Sequence, residues 1–228
     1  MPPKPSGWKP DHGHITRLLL LRHGEVNHDD RKALYGQRDV RLSELGELQS
    51  RETGEAMKGF GITAVYSSDL VRASYLGRQV ADQSSVPMEL FPALRERFFG
   101  DWQGRRWDDL MLEFPELIAK YETERTTYRV PGGAENFVDV RDRVIPVVQN
   151  IVNRHPGETI ALTAHSGPVR VILADALGLS LENLFQFGLD YCSLSLIEYA
   201  ESGRVRVELL NSTHHLTTRL GGGGSHGV

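Results

Sequence analysis

The sequence predicts a three-layer α/β/α sandwich with a mainly parallel central sheet. The prediction rests on the alternation of strand and helix patterns and on what ends each strand. Short apolar runs at residues 18–21, 64–67 and 159–164 are each followed by a segment of helical spacing. That alternation is the pattern that buries a parallel sheet between layers of helices. Each run also stops at a polar turn: Arg22-His23-Gly24-Glu25, Ser68-Asp69, and His165-Ser166-Gly167-Pro168. Ligands of parallel α/β sheets gather outside the carboxyl ends of the strands, so these turns are where chemistry is expected.

Residues 1–14 are rich in Pro, Gly and His and lack the basic start and apolar centre of a secretory signal, so they are expected to form a flexible N-terminal arm. After the first strand, residues 27–41 carry charge and little periodicity and read as a loop, with Tyr35-Gly36-Gln37 inside it. Ser43 has the chemistry of an N-cap for a helix running to about Lys58, where Gly59 and Gly61 stop it. Beyond the strand at 64–67, Ser68 or Asp69 is expected to cap a helix whose first turn carries Arg72. A cation there opposes the positive end of the helix dipole; a helix start plus an arginine suits an anion.

Residues 88–91 read as a third strand, and 94–104 as an aromatic-rich loop carrying Glu96. Between 107 and 124, Leu110, Met111, Phe114, Leu117, Ile118 and Tyr121 recur at helical spacing with a boundary at Pro115, which predicts a core stripe. Residues 131–136 form a turn and 137–154 a helix that must accommodate Pro146. After the strand at 159–164, Pro168 suits the first turn of a helix that Gly178 ends. A short helix is expected at 183–187. Residues 192–199 and 205–209 read as antiparallel strands around Ser202-Gly203 at a sheet edge, the kind of edge on which a second subunit pairs to give a homodimer. Residues 15–220 are read as one domain, and the linker-like, Gly-rich 221–228 as a flexible tail.

The 228 residues are 39% hydrophobic and 25% charged, with a formal net charge of -4, so there is no basic footprint for nucleic acid. The single cysteine, Cys192, has no internal disulfide partner and is read as a packed strand residue; this fits a reducing, cytoplasmic setting. No apolar run approaches the roughly 20 residues needed to span a bilayer.

Parallel strands would bring His23, Arg72 and His165 to one end of the sheet, with Arg22 beside them and Glu96 on the covering loop. Two histidines and two arginines suit a tetrahedral dianion, because the planar guanidinium donates in pairs to phosphate oxygens. The same guanidinium groups would repel a metal ion, so no metal is expected. Neighbouring cations disfavour protonation of His23 and keep it neutral and nucleophilic. A carboxylic acid beside a dianionic phosphate is pushed towards its protonated form, which suits Glu96 to donate to a leaving alkoxide and then activate water.

These residues resemble the histidine phosphatase superfamily, in the branch that includes phosphoglycerate mutases and small phosphatases such as α-ribazole phosphatase. The resemblance runs from about Arg17 to Leu216. It is carried by Leu21-Arg22-His23-Gly24-Glu25, by Ser67 through Ala73, by Leu94-Arg95-Glu96 with Phe99-Gly100-Asp101-Trp102-Gln103-Gly104, by Pro131-Gly132-Gly133, and by Ala164-His165-Ser166-Gly167. It implies a phosphoglycerate mutase-like fold, a transient phosphohistidine on His23, phosphoryl oxygens held by Arg22, Arg72 and His165, Glu96 as proton donor, and no cofactor. It places Gln37 on the substrate, and the paired His214 and His215 in a structural role.

The chain departs from the family pattern in three places. Val26 stands where threonine is common, with Asn27 preferred over Asp29 as the phosphate-binding residue because Asp29 would repel a dianion. Ser166 replaces the commoner glycine, and Ala134 is an extra residue before Glu135. Tyr75-Leu76-Gly77-Arg78-Gln79 lacks the lysine-arginine segment of the mutases, and the Phe-Phe-Gly-Asp-Trp form of the loop after Glu96 matches the phosphatases. The expected activity is therefore metal-independent hydrolysis of a small phosphorylated metabolite. A mutase and a non-catalytic phosphate-binding module are the alternatives. Tyr121, Tyr128 and Arg129 on the cover are read individually as packing or solvent-facing.

Overall fold

A computed structural model describes residues 13–27 and 33–218. The expected arm and Gly-rich tail, and Asp29, lie outside the described residues, apart from Gly13 and His14. The chain runs β1 (Ile15–Arg22), α1 (Glu44–Ala56), β2 (Ile62–Ser67), α2 (Val71–Ser84), β3 (Met88–Leu90), α3 (Trp107–Glu113), α4 (Pro115–Thr123), α5 (Phe137–Asn153), β4 (Thr159–Ala164), α6 (Ser166–Leu177), β5 (Leu194–Ala200) and β6 (Val205–Ser212). Among the described residues no helix is long and apolar enough to cross a membrane.

The sheet has the order β3-β2-β4-β1-β5-β6. β3, β2, β4 and β1 run parallel, while β5 and β6 add antiparallel. β4 inserts between β1 and β2, so the consecutive strands β1 and β2 are not neighbours, and the β1–β4 crevice is a topological switch point. Register then decides what meets there. Arg22 pairs with Ala164, which sets His23 and His165 side by side just past the strand ends.

Each face of the sheet has its own core. Leu18 and Leu20 with Ile160 and Leu162 pack against Val140, Val144, Val148 and Ile151 of α5 and Val171 and Ile172 of α6. Leu19 and Leu21, pointing the other way, meet Leu76 and Val80 of α2. This two-sided burial explains why β1 and β4 read as continuous apolar runs rather than alternating ones. A third cluster beneath the cover joins Leu34, Phe99 and Trp102 to Leu110, Ile118 and Tyr121. The predicted stripe is thus core at Leu110, Ile118 and Tyr121, but Met111 is 45% exposed, because the break at Pro115 resets the helical phase. Pro146 does sit inside α5, on its exposed side, where the missing hydrogen bond costs least.

Four expectations are corrected. β5 is hydrogen-bonded to β1 on one side and β6 on the other, so residues 193–199 offer no free edge for a second subunit; the open edges belong to β3 and β6. Cys192 is buried but precedes β5, in a turn with φ 52°. The short helix expected at 183–187 is a 3-10 turn at Leu181–Asn183. The α2 helix has Leu70 at its N-cap with no side-chain cap of its own. Instead, Asp39 from the distant loop accepts the Val71 N–H at 2.7 Å, supplying the acid that the first turn lacks.

Glycine matters most where β1 ends. A Cβ on Gly46 would collide with the Glu25 carbonyl, and one on Gly24 with the Gly46 carbonyl. Neither glycine has positive φ, so clearance between β1 and α1, rather than turn geometry, is what they provide. Gly46→Ala is expected to cost roughly 1–3 kcal/mol as an overpacking substitution, read as a lower urea midpoint with an unchanged m-value.

Candidate active site

Arg22 and His23 are carried past the end of β1 by the strand itself and are 7% and 1% exposed. The His23 backbone N–H donates to the Ala164 carbonyl at 3.1 Å, and the Cys192 N–H donates to the His23 carbonyl at 3.2 Å, so the residue is held from both neighbouring strands. Its Nδ1 lies 2.7 Å from the Gly24 carbonyl oxygen. A carbonyl only accepts, so Nδ1 carries the proton and Nε2 keeps the lone pair. Burial, then the charges of Arg72 and Arg22, hold the His23 pKa well below the usual 6.5. The ring is neutral and oriented, and its Nε2 lone pair is available.

His165 is the N-cap residue of α6, and its ring centroid lies 5.1 Å from that of His23. Its Nε2 is 2.8 Å from Ser68 Oγ, which already accepts the Leu70 N–H at 3.3 Å. The Ser68 hydroxyl can donate to Nε2, and in that tautomer the proton sits on Nδ1, a buried atom with no partner among the described residues. Burial, followed by Arg72 and His23, depresses this pKa as well. Sequence reasoning treated Ser68 as a helix cap; its closer connection is to His165.

Arg72 is fully buried, with Nη1 donating to the Arg38 carbonyl at 2.9 Å and Nη2 to the Gly36 carbonyl at 2.6 Å. Its guanidinium carbon lies 4.8 Å from the Tyr35 ring centroid, while Arg22 lies 4.3 Å from that of Tyr191. Arg22 Nη1 donates to the Leu189 carbonyl. The Nε atoms of both arginines are buried and unpartnered. Two cations thus stand beside two neutral histidines, an arrangement that favours an incoming anion.

Glu96 is 9% exposed and does not form the surface pair with Arg95 or Arg97 that its sequence neighbours allow; Arg95 binds Asp69 at 2.8 Å. Its Oε1 instead accepts the Arg97 N–H at 2.8 Å and the Gly167 N–H at 3.0 Å. A Cβ on Gly167 would collide with that oxygen, so glycine at the second position of α6 lets the carboxylate reach the helix start. Glu25 looks the other way, accepting the Ser43 hydroxyl at 2.9 Å and the Ser43 N–H on its carbonyl at 2.9 Å. It ties β1 to the N-cap of α1 and is not an acid of the site. Gly24 gives clearance to α1.

A cavity of about 330 Å³ opens beside these groups, with Arg22, Glu96 and Gly167 in its wall. His23, Arg72 and His165 are not among the lining residues; the rings of Tyr35 and Tyr191 stand against His23. Asn27 is exposed, and its backbone N–H donates to the Arg41 carbonyl at 3.1 Å. Gln37 donates from Nε2 to the Glu96 carbonyl at 3.1 Å and does not line the cavity. Glu135 is paired with Arg143, and Ala134 is packed in the cover cluster. Tyr121 is bonded to Arg97, and Arg129 to Asp139. His215 meets Thr53 at 3.1 Å, and among the described residues no group of three or more His, Cys, Asp or Glu is placed to hold a metal ion. Burial raises the Cys192 thiol to about 12, so it is no nucleophile.

Sequence reasoning missed Tyr191, Phe185, Arg97 and Arg170 as cavity residues. Arg170 alone left a signal: it is a lone charge inside the apolar run of α6, where its neighbours Val169, Val171, Ile172 and Leu173 are all buried.

The profile of the Histidine phosphatase superfamily (branch 1) matches residues 18–213. A bifunctional protein of Mycobacterium tuberculosis is 32% identical over 215 residues, which is 94% of this chain and 58% of that one. The chain thus spans less than two thirds of that relative. A metal-independent phosphoserine phosphatase of Arabidopsis thaliana is 31% identical over 160 residues, covering 69% of this chain and 67% of its own. Among solved structures, a mycobacterial glucosyl-3-phosphoglycerate phosphatase complexed with VO3 superposes with a TM-score of 0.78 at 28% identity, covering 86% of this chain and 99% of the other.

Both buried histidines have folded-state pKa values below the unfolded 6.5. As pH falls through 6.5 the unfolded chain binds protons that the folded one does not, so stability must fall with it. Urea midpoints measured between pH 7.5 and 5 should decline, and less steeply in His23→Asn. Ser68→Ala should lower kcat more than it raises KM, with the wild-type melting temperature largely kept, because the His165 tautomer is no longer set.

Proposed function

The chain belongs to the histidine phosphatase superfamily, branch 1, and on that premise we propose that it is a phosphomonoesterase working through a phosphohistidine on His23. The observation that carries the reading is the His23 ring, with its Nδ1 proton committed to the Gly24 carbonyl, its Nε2 lone pair available, and the charges of Arg72 and Arg22 acting on it. In the first step Nε2 attacks phosphorus and the P–O bond to the leaving group breaks. Glu96 gives its proton to the departing alkoxide. In the second step Glu96 takes a proton from water, the hydroxide attacks the phosphoryl group, and the P–N bond breaks to release inorganic phosphate.

Arg22, Arg72 and the Nδ1–H of His165 donate to the phosphoryl oxygens, where charge accumulates in the transition state. The catalysis is proposed to be metal-independent, since the groups gathered around His23 are cationic or neutral and suited to an anion. Two relatives named as phosphatases, one of them metal-independent, support hydrolysis over mutase chemistry. A small phosphorylated metabolite is the proposed substrate, handled by a cytoplasmic enzyme.

Hydrolysis of an aryl phosphate should persist in excess chelator, and rapid acid-free quenching should trap an acid-labile phosphoenzyme. His23→Ala should abolish both signals; turnover surviving in that variant sinks the assignment. Glu96→Gln should lower kcat by roughly 10²–10⁴-fold, with the phosphoenzyme still formed from substrates whose leaving groups need no proton. Isomerisation of a phosphoglycerate faster than phosphate release would indicate a mutase instead.

A further inference from the structure

The side chain of Arg22 depends on a single turn. Among the described residues its hydrogen bond goes to the Leu189 carbonyl, and its ring contact is with Tyr191, 4.3 Å from guanidinium carbon to centroid. The same turn also holds the backbone of the site: the Arg22 N–H donates to the Ser193 carbonyl at 3.3 Å, and the Cys192 N–H donates to the His23 carbonyl at 3.2 Å. By local rules it is a poor turn. The Ser193 N–H closes it onto the Asp190 carbonyl at 3.2 Å, which puts Tyr191 and Cys192 at its two central positions. Cys192 has φ 52°, a left-handed conformation that such a position normally gives to glycine or asparagine. A turn with a disfavoured central residue persists only with support from outside it.

Asn211 supplies that support. Its Oδ1 accepts the Asp190 N–H at 2.7 Å, and its Nδ2 donates to the Asp190 carboxylate at 2.9 Å. One partner is a donor and the other an anion, so the two ends of the carboxamide are not interchangeable. Asn211 reaches them because β6 is irregular there. The pairing of β5 with β6 shifts register between Leu194 and Leu196, Asn211 has φ 51°, and its N–H donates to Ser195 Oγ at 3.1 Å. Asparagine is among the few residues with a side chain that visit this conformation readily. Strand irregularities of this kind re-aim a side chain beside active sites. Asn211 is half-buried, Asp190 is exposed, and neither lines the cavity.

We propose that Asn211 is a positioning residue for the phosphoryl grip: through the Leu189–Cys192 turn, its carboxamide sets where Arg22 presents its guanidinium. The inference rests on the phosphomonoesterase reading for the role of Arg22 and goes beyond it, to a residue outside the cavity. A guanidinium that donates in pairs to phosphate oxygens works only in the right orientation. Arg22 takes that orientation from a carbonyl and a ring on a turn that Asn211 clamps at Asp190.

The test measures, on the full chain, kcat/KM for an aryl phosphate, the inhibition constant of vanadate, and the affinity for inorganic phosphate by titration calorimetry. Asn211→Asp removes the Nδ2 donor and sets a second carboxylate against Asp190. It is expected to lower kcat/KM and weaken both anions by roughly tenfold, as a small misplacement of a gripping group can. Adding Asp190→Asn rebuilds both hydrogen bonds with one donor and acceptor exchanged, and should return all three quantities to within about threefold of wild type. In an Arg22→Lys background Asn211→Asp should cost less than about threefold, because the guanidinium it positions is already gone. A residue that only stabilises the fold would lower the melting temperature and cost the same factor in both backgrounds. Such additivity overturns the inference, and so do wild-type values in Asn211→Asp or a failure of Asp190→Asn to restore them. Should Asn211→Asp not fold, Asn211→Gly, which accepts the left-handed backbone and lacks the carboxamide, takes its place in the cycle with Arg22→Lys. A wild-type chain that binds phosphate but hydrolyses no ester ends the phosphomonoesterase reading, and the coupling of Asn211 to Arg22 is then decided by phosphate affinity. Neither turnover nor phosphate binding in wild type overturns both.

Discussion

The site depends on the parallel pairing of β1 with β4. A shift of one residue would turn every side chain of β1 to the opposite face of the sheet; with Leu18 and Leu20 in one core and Leu19 and Leu21 in the other, the alternation itself resists such a slip. The register that results makes Arg22 the partner of Ala164, and the next residue on each strand is a histidine. Catalytic geometry is therefore an outcome of core packing. The His23 N–H to Ala164 bond continues the ladder one step beyond the strands.

Around that pair the chain collects positive charge, and the nearby Glu96 carboxylate is held by backbone N–H groups instead of by the two arginines. Arg22 and Arg72 are anchored by backbone carbonyls and aromatic rings rather than by carboxylates. A carboxylate partner would stabilise each cation but would also neutralise the field that draws a phosphate. Carbonyl oxygens and ring faces fix a guanidinium in place while leaving its charge available. Burial holds both histidines neutral and the same field reinforces it, so the charge that favours an anion also favours the unprotonated rings.

Much of this was legible in the sequence, because each strand end leaves a compositional mark. Arg22-His23, Arg72 and His165 are charged residues interrupting apolar runs, and strand–helix alternation is enough to place them at one end of a parallel sheet. Glu96 was legible as an acid on a covering loop, though not its bond to Gly167, which depends on a contact 71 residues away. Gly24, just past a strand, signals a close approach without saying to what; its neighbour is the Gly46 backbone. The strand at 193–199 was taken for an edge because one antiparallel partner is visible locally, whereas its pairing with β1 is remote in sequence. Phe185 left no mark at all, since a phenylalanine on a connecting segment is ordinary until the fold brings it to the cavity.

The short segment from Gly36 to Asp39 touches nearly every working part. Gly36 and Arg38 hold Arg72, Gln37 holds the backbone of Glu96, and Asp39 caps the helix that carries Arg72. Such a segment has little freedom to diversify, because a change made for one contact perturbs the phosphate grip and the acid together. The cover helices and the Phe185 region bear no comparable obligations. Divergence among proteins sharing this scaffold should therefore be concentrated there, with the cavity wall rebuilt while the four-residue strap stays put.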